Sequence, residues 1–482
     1  VLATRNTTGI YFIRLFFTRI DPLAERLATL HPSAMRTLHE TAADLAAGRI
    51  TSRVLVEECL DRIAAPDGEG PRTFLRVYGD QARATADAMD ALRQAGRAPG
   101  LFAGIPISLK DLLDVAGEPT PAGSRILANA PAATAHAPVV QRLLAAGLIP
   151  VGRTNMTEFA FSGVGINPHY GTPRAPYGRA ADGTGRVPGG SSSGAAVSVS
   201  DGMALAAIGT DTGGSCRIPA AFCGIVGYKP TARRVPLHGV LPLSPSLDSV
   251  GPLANSVACC AVIDAILAGA PLPQAKPQTA AGLRLLFPTN IVTDNMDAPT
   301  ERALDRAIQR LDRSGVTVVH RHLRSLDRIT AAHARGGFAV VESYAWHRDL
   351  LAAHADRYDA RVASRILPGA NMAAADYAAL MQARTQIIAD FAAELAPFDA
   401  LVMPTVPIAP PPISAFDNDD DYKRLNGLIL RNTAQINFLD GCAISLPCHE
   451  AGAPPAGLML AASSMVDSRL FEVAAAVEAV LF

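Results

Sequence analysis

Between residues 189 and 227 the chain carries nine glycines, with the run "GGSSSG" at 189–194 and "GTDTGGSCRIP" at 209–219. Glycine at this density means that the backbone adopts conformations, or approaches other backbone so closely, that a side chain would forbid. Three chemistries use loops of this kind. A phosphate-cradling loop requires G-x-x-x-x-G-K-[ST], but neither run has a lysine after its last glycine, and "GYKPT" around Lys229 lacks the rest. A dinucleotide fingerprint requires G-x-G-x-x-G between strand and helix with an acidic residue about twenty positions on, and that spacing is missing. The third is nucleophilic catalysis. "ALAAIGT" reads as a buried strand that feeds the tight turn "TDTGGS", whose consecutive backbone N–H groups converge around Ser215. Converging amides stabilise the charge that develops on a carbonyl oxygen during acyl transfer.

A serine hydroxyl is nearly inert until a base takes its proton. His136, His169 and His238 are near in sequence, but none has a spacing that pairs it with Ser215, and the G-x-S-x-G elbow is absent. A serine–lysine arrangement remains. Lys110 ends the apolar strand "GIPISLK", and desolvation there disfavours the ammonium form. The competing reading is a snorkelling lysine, or one ion-paired with Asp111 or Asp114. Asp211 and Arg217 read as a pair bracing the turn, and Cys216 as a small buried hydrophobe.

Strand-like and helix-like runs alternate around this region, the signature of an α/β fold. "AGIPISL", "LIPVG", "ALAAIGT", "LRLLFP", "VTVVHR", "DALVMP" and "CAISLP" read as strands, and 299–314, 336–356 and 372–396 as alanine-rich helices. The prediction is a single large α/β/α domain with a mixed central sheet of about ten strands covered by helices on both faces. Residues 33–96 read as helical, with a capping box at Thr41 and Asp44, a stop at Gly48, and Val54, Cys59, Leu60 and Ile63 near one face. Residues 404–421 read as a long irregular loop.

The bulk numbers narrow the partners. With 43 basic and 44 acidic residues the net charge is −1, so no global field favours nucleic acid or an anionic membrane. Seven scattered cysteines lack CxxC spacing, which argues for a reducing, cytoplasmic setting. His320 and His322 form an H-x-H on a predicted strand with no Cys or acidic companion adjoining, so no metal is expected. Residues 1–32 open with an apolar run interrupted by Arg14, too short to span a membrane, and their status is left open. A monomer or homodimer acting on a small neutral partner fits this composition.

Together, "ISLKD", "PGGSSSGAAVSVSDGMALAAIGTDTGGSCRIPAAFCGIVGYKPT" and "LVMPTVP" resemble the amidase signature family of carboxamide hydrolases. The resemblance implies one domain over 33–482, with a catalytic core at about 100–260 and a more variable 270–440 region contributing to the substrate pocket. Carried over by position, the family's lysine falls on Lys110, its bridging serine on Ser191 and its nucleophile on Ser215, the two serines 24 positions apart. It further implies a cis Gly190–Ser191 bond, an oxyanion hole from the amides of Thr212, Gly213, Gly214 and Ser215, and support from Ser192, Asp211 and Arg217. No cofactor or metal is implied. Met156, Phe159, Phe161, Ile436 and Phe438 are candidates for an apolar substrate wall, and ordinary core packing explains each equally well. An amide is the implied substrate; a carbamate or ester hydrolase with the same triad, or the A subunit of a tRNA-dependent amidotransferase, are the alternatives.

Overall fold

The computed structural model describes residues 36–180, 183–273 and 279–482. The reading of residues 1–32 lies outside these. Eleven strands form one mixed sheet: β1 (Phe74–Val77), β2 (Pro106–Lys110), β3 (Ile149–Thr154), β4 (Ala206–Thr210), β5 (Val226–Lys229), β6 (Val250–Ala254), β7 (Arg284–Pro288), β8 (Thr317–Arg321), β9 (Ala400–Pro404), β10 (Cys442–Pro447) and β11 (Gly457–Ala462). Their order is β1-β3-β2-β4-β6-β5-β10-β11-β9-β7-β8. Helices cover both faces, so the expected α/β/α architecture holds. The central strands β2, β4, β5, β6, β9, β10 and β11 are buried along their whole length, which is why β2, β4, β9 and β10 read as continuous apolar runs rather than alternating ones.

The register places the site. β2 lies parallel to both β3 and β4, pairing Leu109 with Arg153 on one side and with Ile208 on the other. Lys110 and the "TDTGGS" turn therefore leave the sheet together, at the carboxyl ends of neighbouring parallel strands. Open α/β sheets commonly bind ligands in the crevice beyond such ends.

Several sequence expectations are corrected. The stretch 33–96 is not helical throughout, because Phe74–Val77 forms β1 antiparallel to β3. The capping box is Thr37 with Glu40, where the Thr37 Oγ1 accepts from the Glu40 amide and the Thr37 amide donates to Glu40. Thr41 instead donates its hydroxyl to the Thr37 carbonyl, 2.8 Å away. Helix Ser52–Ala64 buries Leu55, Val56, Cys59, Leu60 and Ile63, while Val54 faces out at 41% exposure. The 404–421 stretch is shorter as a loop than expected. It contains a single tight turn at Ile413–Phe416, and Asn418 caps a helix over Asp419–Phe438.

His322 does have an acidic companion. Its Nε2 lies 2.6 Å from Asp327, which the following helix supplies. Among the described residues no cluster of three histidine, cysteine or acidic side chains could hold a metal ion. The seven cysteines are all unpaired. No described helix is long and apolar enough to cross a membrane.

Candidate active site

Lys110 is fully buried, and its Nζ lies 2.8 Å from both the Ser191 Oγ and the Thr210 Oγ1. Among the described residues no carboxylate pairs with it directly. Asp111 is engaged by Arg153 at 2.8 Å, and Asp114 accepts from the Thr120 hydroxyl. Burial therefore dominates and pushes the Lys110 ammonium down to about 7, with nearby Cys216, Asp211 and Asp248 opposing. At neutral pH a large fraction is the free amine, which has a lone pair to accept a proton.

Ser191 follows a cis Gly190–Ser191 peptide bond and precedes the helix Ser193–Ser200. A Cβ on Gly190 would come within 2.6 Å of the Gly165 backbone nitrogen, so only glycine lets the serine run pass there. Ser192 ties the two glycine-rich segments together: its amide donates to the Ser215 carbonyl at 3.3 Å, and its hydroxyl to the Thr210 carbonyl at 3.2 Å.

The 209–219 segment is organised by one carboxylate. Asp211 accepts from the amides of Gly214 (2.8 Å) and Cys216 (3.1 Å) and from Arg217 Nε (3.0 Å) and Nη2 (2.9 Å). Burial works against its charge, but Arg217 and Asn437 outweigh that and hold the carboxyl well below its ordinary range. Asp211 and Arg217 are thus the bracing pair. Cys216 is fully buried, which pushes its thiol up and keeps it protonated.

Ser215 comes out of this turn almost covered, at 4% exposure, just before the helix Arg217–Cys223. Of the four amides expected in the oxyanion hole, that of Gly214 is spent on Asp211. Those of Thr212, Gly213 and Ser215 have no acceptor among the described residues. The Thr212 hydroxyl donates to Asp248, a buried carboxyl pushed up to about 6 by desolvation.

A cavity of about 210 Å³ opens over Thr212, Gly213 and Ser215. Phe161 and Phe438 line it, while Met156, Phe159 and Ile436 do not. These three are fully buried core residues; Phe159 packs its ring 4.5 Å from that of His347. Sequence reasoning missed Thr210, Asp248, Phe338, Arg365 and Asn437. Thr210 was readable in principle, being one strand register from Lys110 once β2 and β4 are neighbours. Two of the three histidines near in sequence are used elsewhere: His169 pairs with Glu158 at 2.8 Å, and His136 Nδ1 accepts from the Ala116 amide.

The Amidase family profile matches residues 54–471. The chain belongs to the amidase signature family. It is 36% identical over 458 residues to a 2-amino-5-chloromuconic acid deaminase of Comamonas testosteroni, covering 93% of this chain and 97% of that protein. It is also 35% identical over 476 residues to the A subunit of the glutamyl-tRNA(Gln) amidotransferase of Chromohalobacter salexigens, covering 91% of this chain and 95% of that one. Among solved structures, one described as an amidase superposes with a TM-score of 0.82 at 30% identity, covering 93% of this chain and all of that one. The family member is therefore a hydrolase, and the amide class of substrate comes with the family.

Proposed function

We propose that this amidase family member hydrolyses the C–N bond of a small carboxamide through an acyl-enzyme on Ser215. The observation that carries the reading is the buried Lys110 amine 2.8 Å from Ser191, with its ammonium form destabilised to a pKa near neutrality. Neutral Lys110 takes the Ser191 proton as Ser191 takes that of Ser215, and the Ser215 Oγ attacks the carbonyl carbon. The amides of Thr212, Gly213 and Ser215 receive the oxyanion, and Gly214 holds the turn through Asp211. The proton then returns from Lys110 through Ser191 to the leaving nitrogen. The amine departs, and water cleaves the ester by the same relay.

A cavity of about 210 Å³ with Phe161 and Phe438 in its wall favours a short acyl group. A panel of primary amides, p-nitroanilides, esters and carbamates tests the assignment. Amide turnover that disappears in Ser215→Ala supports it. Preference for carbamates or esters moves the substrate class and keeps the triad. A second reading, the A subunit of a tRNA-dependent amidotransferase, is favoured by the 35% identity to proteins of that name. Glutaminase activity and copurifying partner proteins would establish it over the stand-alone hydrolase.

A further inference from the structure

The Thr212 amide, free of any acceptor among the described residues, is held in place from both of its neighbouring atoms groups: the carbonyl before it and its own side chain. Peptide planarity sets the N–H of a residue opposite the carbonyl of the residue before it. The Asp211 carbonyl accepts from the Ser249 hydroxyl at 2.8 Å and from the Asn437 side-chain amide at 3.1 Å, so the Thr212 N–H is directed away from both. The side chain is gripped as well. Thr212 donates its hydroxyl to Asp248 at 2.5 Å, and a β-branched residue has few χ1 choices, so fixing that oxygen fixes the backbone that carries it.

Asp248 stands on a firm base. It is buried, and its oxygens accept from the amides of Leu243 at 3.0 Å and of Ser244 at 3.0 Å and 3.1 Å. On the other side of the same loop, Glu342 accepts from the Ser244 hydroxyl at 2.6 Å and from the Ser246 amide at 3.1 Å. Glu342 belongs to the helix Phe338–His354, whose first residues Phe338, Ala339 and Val340 line the cavity over Ser215. A buried carboxylate beside this turn is a poor electrostatic neighbour for an oxyanion, since like charges repel. Its contribution therefore lies in what it holds.

We infer that Asp248 is a positioning residue of the oxyanion hole, which aims the Thr212 N–H at the substrate's carbonyl oxygen by holding the Thr212 hydroxyl. This rests on the reading of Ser215 as the nucleophile and of the Thr212 amide as an oxyanion donor. Asp248→Asn keeps the shape but turns one acceptor into a donor, so the three donors that face it can no longer all be met. A purely electrostatic role predicts a faster enzyme once the charge is gone. A positioning role predicts a slower one.

The test measures kcat and KM for p-nitrophenyl acetate, whose acylation and deacylation both pass through an oxyanion. Thr212→Val, which removes the hydroxyl and leaves Asp248 in place, is expected to lower kcat by about 10- to 100-fold with KM changed less than about threefold. Thr212→Ser, which keeps the hydroxyl, should stay within about threefold of the parent. Asp248→Asn should lose kcat too, and adding Thr212→Val to it should cost nothing further, because the two residues act through one hydrogen bond. Should Asp248→Asn fail to fold, the contrast between Thr212→Val and Thr212→Ser still decides. Full kcat in Thr212→Val, a loss confined to KM, a faster Asp248→Asn, or losses that multiply in the double variant would each overturn the inference. Turnover that is absent in Ser215→Ala yet unaltered in Thr212→Val and Asp248→Asn rejects the role of Asp248 and leaves the nucleophile standing. Turnover undiminished in Ser215→Ala rejects both.

Discussion

Lys110 is a lysine to which the described residues offer hydroxyls and no ion-pair partner, and its chemistry follows from that. Because burial lowers its pKa to about 7, the amine needed as a base is the minor form below that pH and the major form above it. The expected kcat/KM therefore rises up to tenfold per pH unit on the acid side and levels off above about pH 7. A Lys110→Met variant should lose this limb together with at least about 10²-fold of rate, as read from a pH–rate profile. Asp211 poses the opposite case. It is a buried anion whose removal as Asp211→Asn strands Arg217, itself fully buried, without its counter-charge. Breaking such a pair costs about 3–5 kcal/mol, to be seen as a lower denaturation midpoint in guanidinium, with activity lost because the Gly214 and Cys216 amides lose their anchor.

At the scale of the element, the turn between β4 and the helix Arg217–Cys223 depends on a backbone that only glycine tolerates. Gly214 has φ of +135°, and a Cβ there would come within 2.1 Å of the Thr433 hydroxyl, which donates to the Gly213 carbonyl. Gly214→Ala should cost about 1–3 kcal/mol and abolish turnover, and Thr433→Ala, which removes the clashing hydroxyl, should not rescue it, since the strain in φ and the 2.6 Å approach to the Ile218 Cδ1 persist. Calorimetric unfolding and amide turnover on the single and double variants check this. The same elements show what a sequence can reveal. The strands "PISLK" and "AAIGT" were legible because both faces are buried and the run is unbroken. β1 was not, since four residues between two helical stretches are too few to establish a period. Nor was β6, whose "VGPLA" carries a glycine and a proline that ordinarily mark a turn. The capping box was misplaced because Thr37 and Glu40 compete with Thr41 and Asp44 at the same spacing, and only tertiary burial of Thr41 decides between them.

Across the whole molecule, strands β1–β6 form one half of the sheet and β7–β11 the other, joined where β5 pairs antiparallel with β10. The proposed triad comes entirely from the first half, while Arg365, Leu430 and Phe438 in the cavity wall come from the second. The helix Asp419–Phe438 locks the two together. Its Asn437 donates to Asp211 at 2.9 Å and accepts from Arg217 at 2.7 Å. A fragment ending near residue 270 would keep every proposed catalytic side chain but expose the buried edge of β5. It should aggregate and show no turnover, as light scattering and an activity assay would record. This division explains how much of the site was readable. Lys110, Ser191 and Ser215 stand in local motifs, whereas the wall is assembled across the seam. Three of the five proposed wall residues, Met156, Phe159 and Ile436, are core instead, and Arg365 could not be recognised from sequence because its place in the wall is set by the packing of distant segments. The central claim is that Ser215 carries the acyl group. A slowly deacylated p-nitrophenyl ester, quenched during turnover and mapped by peptide mass spectrometry, is predicted to leave the acyl mass on Ser215 in the active protein and nowhere in Ser215→Ala. An acyl group found on Ser191, Cys216 or any other residue would contradict it.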